Sequence, residues 1–232
     1  MDLSVRALFG LMQWCDSLFP AGGYAHSFGL EEAVRDKTVH NGDTLFLWIR
    51  SKLLYAVVPG EGVLLRQAHA AALREALDSV CQLDAEGLAI RLAREHREGG
   101  RAIGRRWIQM TADLYPTGWT ARCLQALADG ALRGDPAVAF ALAGAASGRP
   151  ALPTLAGYFY GVASGQVSAG LRLLPIGQGE GQRILHRIWE MLEAATALEE
   201  IVAEETVPSS FQPALEIRGM RHEAAEMRLF QS

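Results

Sequence analysis

Lysine is nearly missing from this 232-residue chain. Of its 22 basic residues only Lys37 and Lys52 are lysines, so almost all positive charge is arginine. Guanidinium groups grip carboxylates through a planar fork, which suits them to interfaces. Cysteine is scarce as well. Cys15, Cys81 and Cys123 form no CxxC, so neither a disulfide framework nor a zinc site is indicated, and a reducing cytoplasm is the expected home. There is no Gly-x-Ser-x-Gly elbow and no HExxH. The six histidines are dispersed, with no two placed three or four residues apart to grip a metal from one helix. A net charge of −4 argues against a bulk nucleic-acid binder. The N-terminus carries Asp2 and Arg6 in its first apolar stretch and does not read as a signal peptide.

What remains is hydrophobic and helical. Half the residues are apolar, enough for a sizeable core and too many for a disordered chain. Strand signals are nearly absent, so the expectation is an all-α fold, a single-domain helical bundle of roughly ten helices with a C-terminal amphipathic tail. The core domain is read over 1–207 and the tail over 208–232. Leu3, Ala7, Leu8 and Leu11 stripe a first helix. Asp43 is placed to cap a second, buried through Leu45, Trp48, Ile49 and Leu53. Further helices are expected over 62–77, 79–95 and 102–114. Asp135-Pro136 signals another start, a capping side chain followed by proline at the first helical position. Ile184, Ile188, Met191, Ala195, Leu198 and Val202 stripe a long helix over 182–205.

The uncharged stretch from Pro150 to Leu171 is long enough to span a bilayer. Its proline, glycines and polar residues make a buried helix the better reading. Gly157, Gly161, Gly165 and Ala169 share one face of it, which predicts close helix packing, internal or across a dimer. "GQGEGQ" from Gly177 to Gln182 lacks the Lys-Ser/Thr of a phosphate loop and follows no strand, so it reads as a turn.

Three segments do not fit a plain bundle. "DSLFPAGGYAHSFGLEE", Asp16 to Glu32, mixes Pro20 and Gly22-Gly23 with aromatics, a histidine and small polar groups. It reads either as a shaped structural joint or as a recognition surface, which would display Phe19, Tyr24 and His26. "RLAREHREGGRAIGRRW" gathers Arg91, Arg94, Arg101 and Arg105, either a solvated face of Glu–Arg pairs or a patch for an acidic partner. In the tail, Ile217, Met220, Ala224 and Met227 form an apolar stripe with charged residues on the other faces. Such an element lies in a partner's groove or folds back on its own chain.

Together these segments resemble one family. "DSLFPAGGYAHSFGLE", "REHREGGRAIGRRW", "VSAGLRLLPIGQGEGQ" and "PALEIRGMRHEAAEMRLFQS" are similar, in the same order, to blocks of the urease accessory protein UreF. The resemblance implies an all-α homodimer that is not an enzyme by itself. It would bind UreD (UreH in some systems), recruit the GTPase UreG, and so serve nickel insertion into apo-urease. No cofactor would be held stably; nickel would pass through the assembled complex. By position, the first block implies Asp16, Ser17, Pro20, Gly22, Tyr24, His26, Ser27, Gly29 and Glu31 as partner-binding. The second implies Arg94, Glu95 and Arg101, and the third Arg172, Pro175, Gly177 and Gln178. The tail adds Arg218, Arg221, His222, Glu223 and Arg228. The alternatives are a regulator of GTP hydrolysis by UreG or, more remotely, a helical metal- or nucleic-acid-binding module. Where many relatives have a histidine before a proline, this chain has Asp135 before Pro136.

Overall fold

Short polar side chains decide where the helices begin. The computed structural model describes residues 4–194 and 207–231. Ser4 accepts the Ala7 amide at 3.2 Å and opens α1 (Val5–Cys15). α2 (Leu30–Arg35) follows Gly29, whose φ of +85° is the left-handed conformation that glycine adopts without strain. Asn41 and Thr44 cap α3 (Gly42–Lys52) reciprocally, each side chain bonding the other's amide. This corrects the expected cap: Asp43 lies inside the first turn and pairs with Arg187 at 2.9 Å. After α3 the chain winds as a π-helix over Leu53–Gly62, with Pro59 inside it. The remaining helices are α4 (Val63–Leu73), α5 (Leu77–Ala89), α6 (Arg94–Leu114), α7 (Gly118–Ala128), α8 (Pro136–Ala146), α9 (Ala151–Leu173), α10 (Gln178–Ala194) and α11 (Pro213–Glu223). No strand occurs among the described residues, and the fold is all-α.

Several boundaries differ from expectation. The helix expected over 79–95 ends at Ala89, and α6 starts at Arg94 and runs through Gly99-Gly100. Both glycines are buried, so packing offsets a propensity cost of about 1 kcal/mol each. α10 begins at Gln178 and buries Ile184 and Ile188; Ala195, Leu198 and Val202 lie outside the described residues. Among the described residues no helix is long and apolar enough to cross a membrane.

The described residues fall into two compact units, each discontinuous in sequence. One comprises Met1–Gly22, Leu64–Ala89 and Gly100–Gly161. Its centre is aromatic: Trp14 meets Trp107 and Phe140 edge-on at 5.7 and 5.5 Å, and Phe19 stacks on Trp107 at 4.2 Å. α1 buries Trp14 and sets Leu11 against Gly157, where a Cβ would stand 2.7 Å from a leucine methyl. Leu8 of the expected stripe is exposed, together with Val5, Phe9 and Met12. Asp135 caps α8 as its sequence predicts, accepting the Ala137 and Val138 amides at 2.9 and 3.1 Å. The fully buried Asp84 takes the Arg133, Gly134 and Asp135 amides at 2.7, 3.0 and 2.6 Å, fixing the preceding loop.

The other unit comprises Gly23–Val63, Ile90–Gly99 and Val162–Ser232. Here α3 packs on α10, and α11 on α2. Leu30, Leu45, Ile49, Leu53 and Ile188 form its apolar floor, all fully buried. Of the glycine stripe, Ala169 is buried here, whereas a Cβ at Gly165 would meet nothing within 4 Å.

Candidate partner-recognition site

His222 on α11 has no exposed side-chain surface, and each ring nitrogen faces a carboxylate. Nδ1 lies 2.7 Å from Glu95 Oε2 and Nε2 lies 3.1 Å from Glu31 Oε2. As the imidazolium, the ring donates from both nitrogens to groups that can only accept. Glu31 also accepts the Leu229 and Phe230 amides, at 2.9 and 3.1 Å, so one carboxylate closes the tail's last turn. Arg228 Nη1 reaches Glu95 Oε1 at 2.5 Å. Two carboxylates thus meet one imidazole ring and one guanidinium, and both ring nitrogens of the buried His222 have a partner.

Around this centre the tail is fastened along its length. Arg218 bonds Asp36 and the Thr38 hydroxyl at 2.8 and 2.7 Å. Glu216 accepts the Ala93 amide at 2.6 Å, and Arg94 pairs with Glu223. Arg35 pairs with Glu32 and donates to the Met227 carbonyl at 2.8 Å. The Gln231 amide donates to Ala25 at 2.9 Å. Arg172 donates to the Tyr24 carbonyl at 3.1 Å, with its guanidinium 5.4 Å from the Phe230 ring. A Cβ at Gly29 would lie 3.3 Å from the Leu215 carbonyl, so this glycine serves both the turn and the close approach of α11.

Burial disfavours the charge on Glu31. The Leu229 amide, the His222 ring and the Phe230 amide outweigh it and hold the carboxyl below its usual value. The same balance holds Asp36 low: burial opposes its charge, but Thr38 and Arg218 win. Behind the tail, burial drives His96 down to about 3, helped by the charges of Lys52 and Arg91, so its ring is neutral. It packs edge-on to Phe28 at 5.7 Å. Lys52 is brought down to about 8 by burial, which the carboxylates of Glu61 and Glu216 only partly oppose; its ammonium sits 4.8 Å over the Phe28 ring.

The sequence-flagged residues therefore divide. Tyr24, His26, Ser27, Gly29, Glu31, Arg94, Glu95, Arg172, Arg218, Arg221, His222, Glu223 and Arg228 lie in one unit, whereas Asp16, Ser17, Pro20, Gly22 and Arg101 belong to the other. Pro175, Gly177 and Gln178 form an exposed turn at the head of α10. The first loop does not display its aromatics as a recognition surface would: Phe19 and His26 are buried, and only Tyr24 is partly exposed. Asp16 takes the Leu18 amide at 2.7 Å, and Gly22, at φ +81°, leaves room for Arg106. Nor is the arginine stretch a bare patch. Arg91 is buried against Glu61 at 2.9 Å, and Arg97 donates to the Arg91 carbonyl at 2.7 Å.

The tail folds back on its own chain, as one of the two readings of it expects, but not through its apolar stripe. Leu215, Gly219 and His222 face inward, while Ile217, Met220 and Met227 are exposed, Met227 by 84%. Sequence reasoning also missed Asp36, Thr38, Glu216, Lys52 and His96. Nothing local marks them, because each acquires its role from residues far along the chain.

The described elements are helical throughout, and their densest set of buried polar contacts fastens the tail to α2 and α6, the make-up of an all-α protein whose site is built on its own helices. Comparison places it more closely. The UreF family model matches residues 39–188, and a urease accessory protein UreF of Lachnoclostridium phytofermentans is 32% identical over 225 residues, covering 97% of this chain and 98% of that relative. The chain belongs to the UreF family of urease accessory proteins.

Proposed function

We propose that the chain is a scaffold for urease maturation: it binds UreD (or UreH), recruits the GTPase UreG, and so enables nickel insertion into apo-urease without bond-making of its own. It works as a cytoplasmic homodimer, and nickel passes through the complex rather than being held by this subunit. The observation that carries this reading is the outward apolar stripe of the tail. The tail turns Leu215, Gly219 and His222 inward and offers Ile217 and Met220 of α11, with Met227 and Leu229 beyond it, to solvent. Exposed apolar side chains on a helix held by buried ion pairs are a ready-made contact face. The partly exposed Tyr24 is tied to the same assembly through Arg172, so loop and tail present one composite surface.

Co-expression with UreD, UreG and the urease subunits, followed by affinity purification and a urease assay, tests the proposal. A complex containing both companions and an active urease, each lost when this chain is left out, is the expected result. Purified chain that ignores both companions, or that turns over a substrate unaided, overturns it.

A further inference from the structure

The π-wound segment Leu53–Gly62 carries a proline where an α-helix would need an amide donor. In α winding the N–H of residue 59 bonds the carbonyl of residue 55. Pro59 has no N–H, so that bond cannot form, and its ring crowds the same carbonyl. The donor comes from the tail instead: the Phe211 amide bonds the Tyr55 carbonyl at 2.9 Å, and the Ser209 amide bonds the Pro59 carbonyl at 3.0 Å. Gln212 Nε2 continues the line to Ser51 Oγ at 2.8 Å. Residues 209–212 thus run along the helix against acceptors spaced four residues apart. The fit is close. A Cβ at Gly60 would stand 2.8 Å from the Ser209 carbonyl oxygen, so only glycine lets the two backbones approach this far.

We infer that the π-helix is a docking ledge for the extended start of the tail, and that its winding and the seating of residues 209–212 are mutually dependent. The tail bonds the Tyr55 carbonyl, which an α-wound residue 59 would have bonded, and the Pro59 carbonyl one turn on, and the wide winding turns both carbonyls toward it. Coupling of this kind is reciprocal: whatever lifts the tail loosens the segment, and whatever straightens the segment evicts the tail. The inference concerns the chain alone and stands whether or not the tail meets a partner.

Residue-resolved amide exchange on the full chain tests it. Pro59→Ala supplies the missing N–H to the Tyr55 carbonyl. Gly60→Ala pushes on Ser209 without touching the acceptors. In both, the Phe211 and Ser209 amides are expected to exchange about tenfold faster, the factor equivalent to one hydrogen bond. Conversely, ending the chain after Val207 is expected to raise exchange across residues 57–64 by a similar factor of roughly ten. Wild-type exchange of Ser209 and Phe211 in the folded Gly60→Ala protein, or unchanged exchange over 57–64 in the shortened chain, overturns the inference. Because Gly60→Ala and the shortened chain keep Pro59, a Pro59→Ala protein that fails to fold does not rescue it.

Discussion

At the scale of single residues, His222 holds the most. It satisfies two carboxylates that are themselves largely buried, so removing it leaves both partly uncompensated. Breaking a buried charge set by deleting one partner costs about 3–5 kcal/mol, and here Arg228 and the Leu229 and Phe230 amides retain some of the compensation. His222→Ala is therefore expected to destabilise the seated tail by about 3 kcal/mol, read as faster exchange of the Leu229 and Phe230 amides. Glu31 adds a pH dependence of known sign. Its carboxyl is held below the ordinary value of 4.5, so its contribution is fully present above that value and is lost as the pH falls through the lowered one. The two amides it accepts are expected to keep their protection at pH 5 and to lose it on further acidification. Glu31→Gln should flatten that profile.

At the scale of elements, α11 is decided by contacts rather than by propensity. Gly219 sits mid-helix, where alanine would gain about 1 kcal/mol. Yet a Cβ there would stand 2.5 Å from the His96 ring and 2.9 Å from the Ala93 methyl, in a site that cannot yield without moving α6. Overpacking of this kind costs roughly 1–3 kcal/mol, so the steric effect wins. Gly219→Ala is expected to make the isolated helix more helical while lowering the thermal stability of the protein, a pair of opposite signs that calorimetry and peptide circular dichroism separate. The same helix shows why its orientation was illegible in the sequence. Its apolar residues Ile217 and Met220 suit an inward or an outward face alike, and the acceptors that decide it are Glu31 and Glu95, 191 and 127 residues away from His222. Local signals did better where the cause was local. Asp135-Pro136 marked the start of α8 because capping needs only neighbouring amides. The cap of α3 was misplaced by two residues because Asn41 and Thr44 share the work that a single aspartate was expected to do. The π-helix left no periodic trace, since the segment that bonds it lies some 150 residues further on.

At the scale of the whole molecule, the proposed scaffold role predicts that stability and function separate by location. The inward face of α11 holds the fold, and the outward face contributes less to it, because Ile217 and Met220 are each about half exposed. Exposed substitutions away from such anchors change stability by no more than about 0.5 kcal/mol. The double variant Ile217→Ser, Met220→Ser is therefore expected to melt within a few degrees of the wild type and to keep the protected Leu229 and Phe230 amides. If the outward face is where UreD binds, the same variant should fail to co-purify with it and leave urease inactive, since apolar anchors dominate the energy of such contacts. A variant that folds and still assembles normally would move the interface off α11. One that unfolds would mean the outward face is load-sharing in the fold, and the division between an inner clasp and an outer contact surface would be wrong.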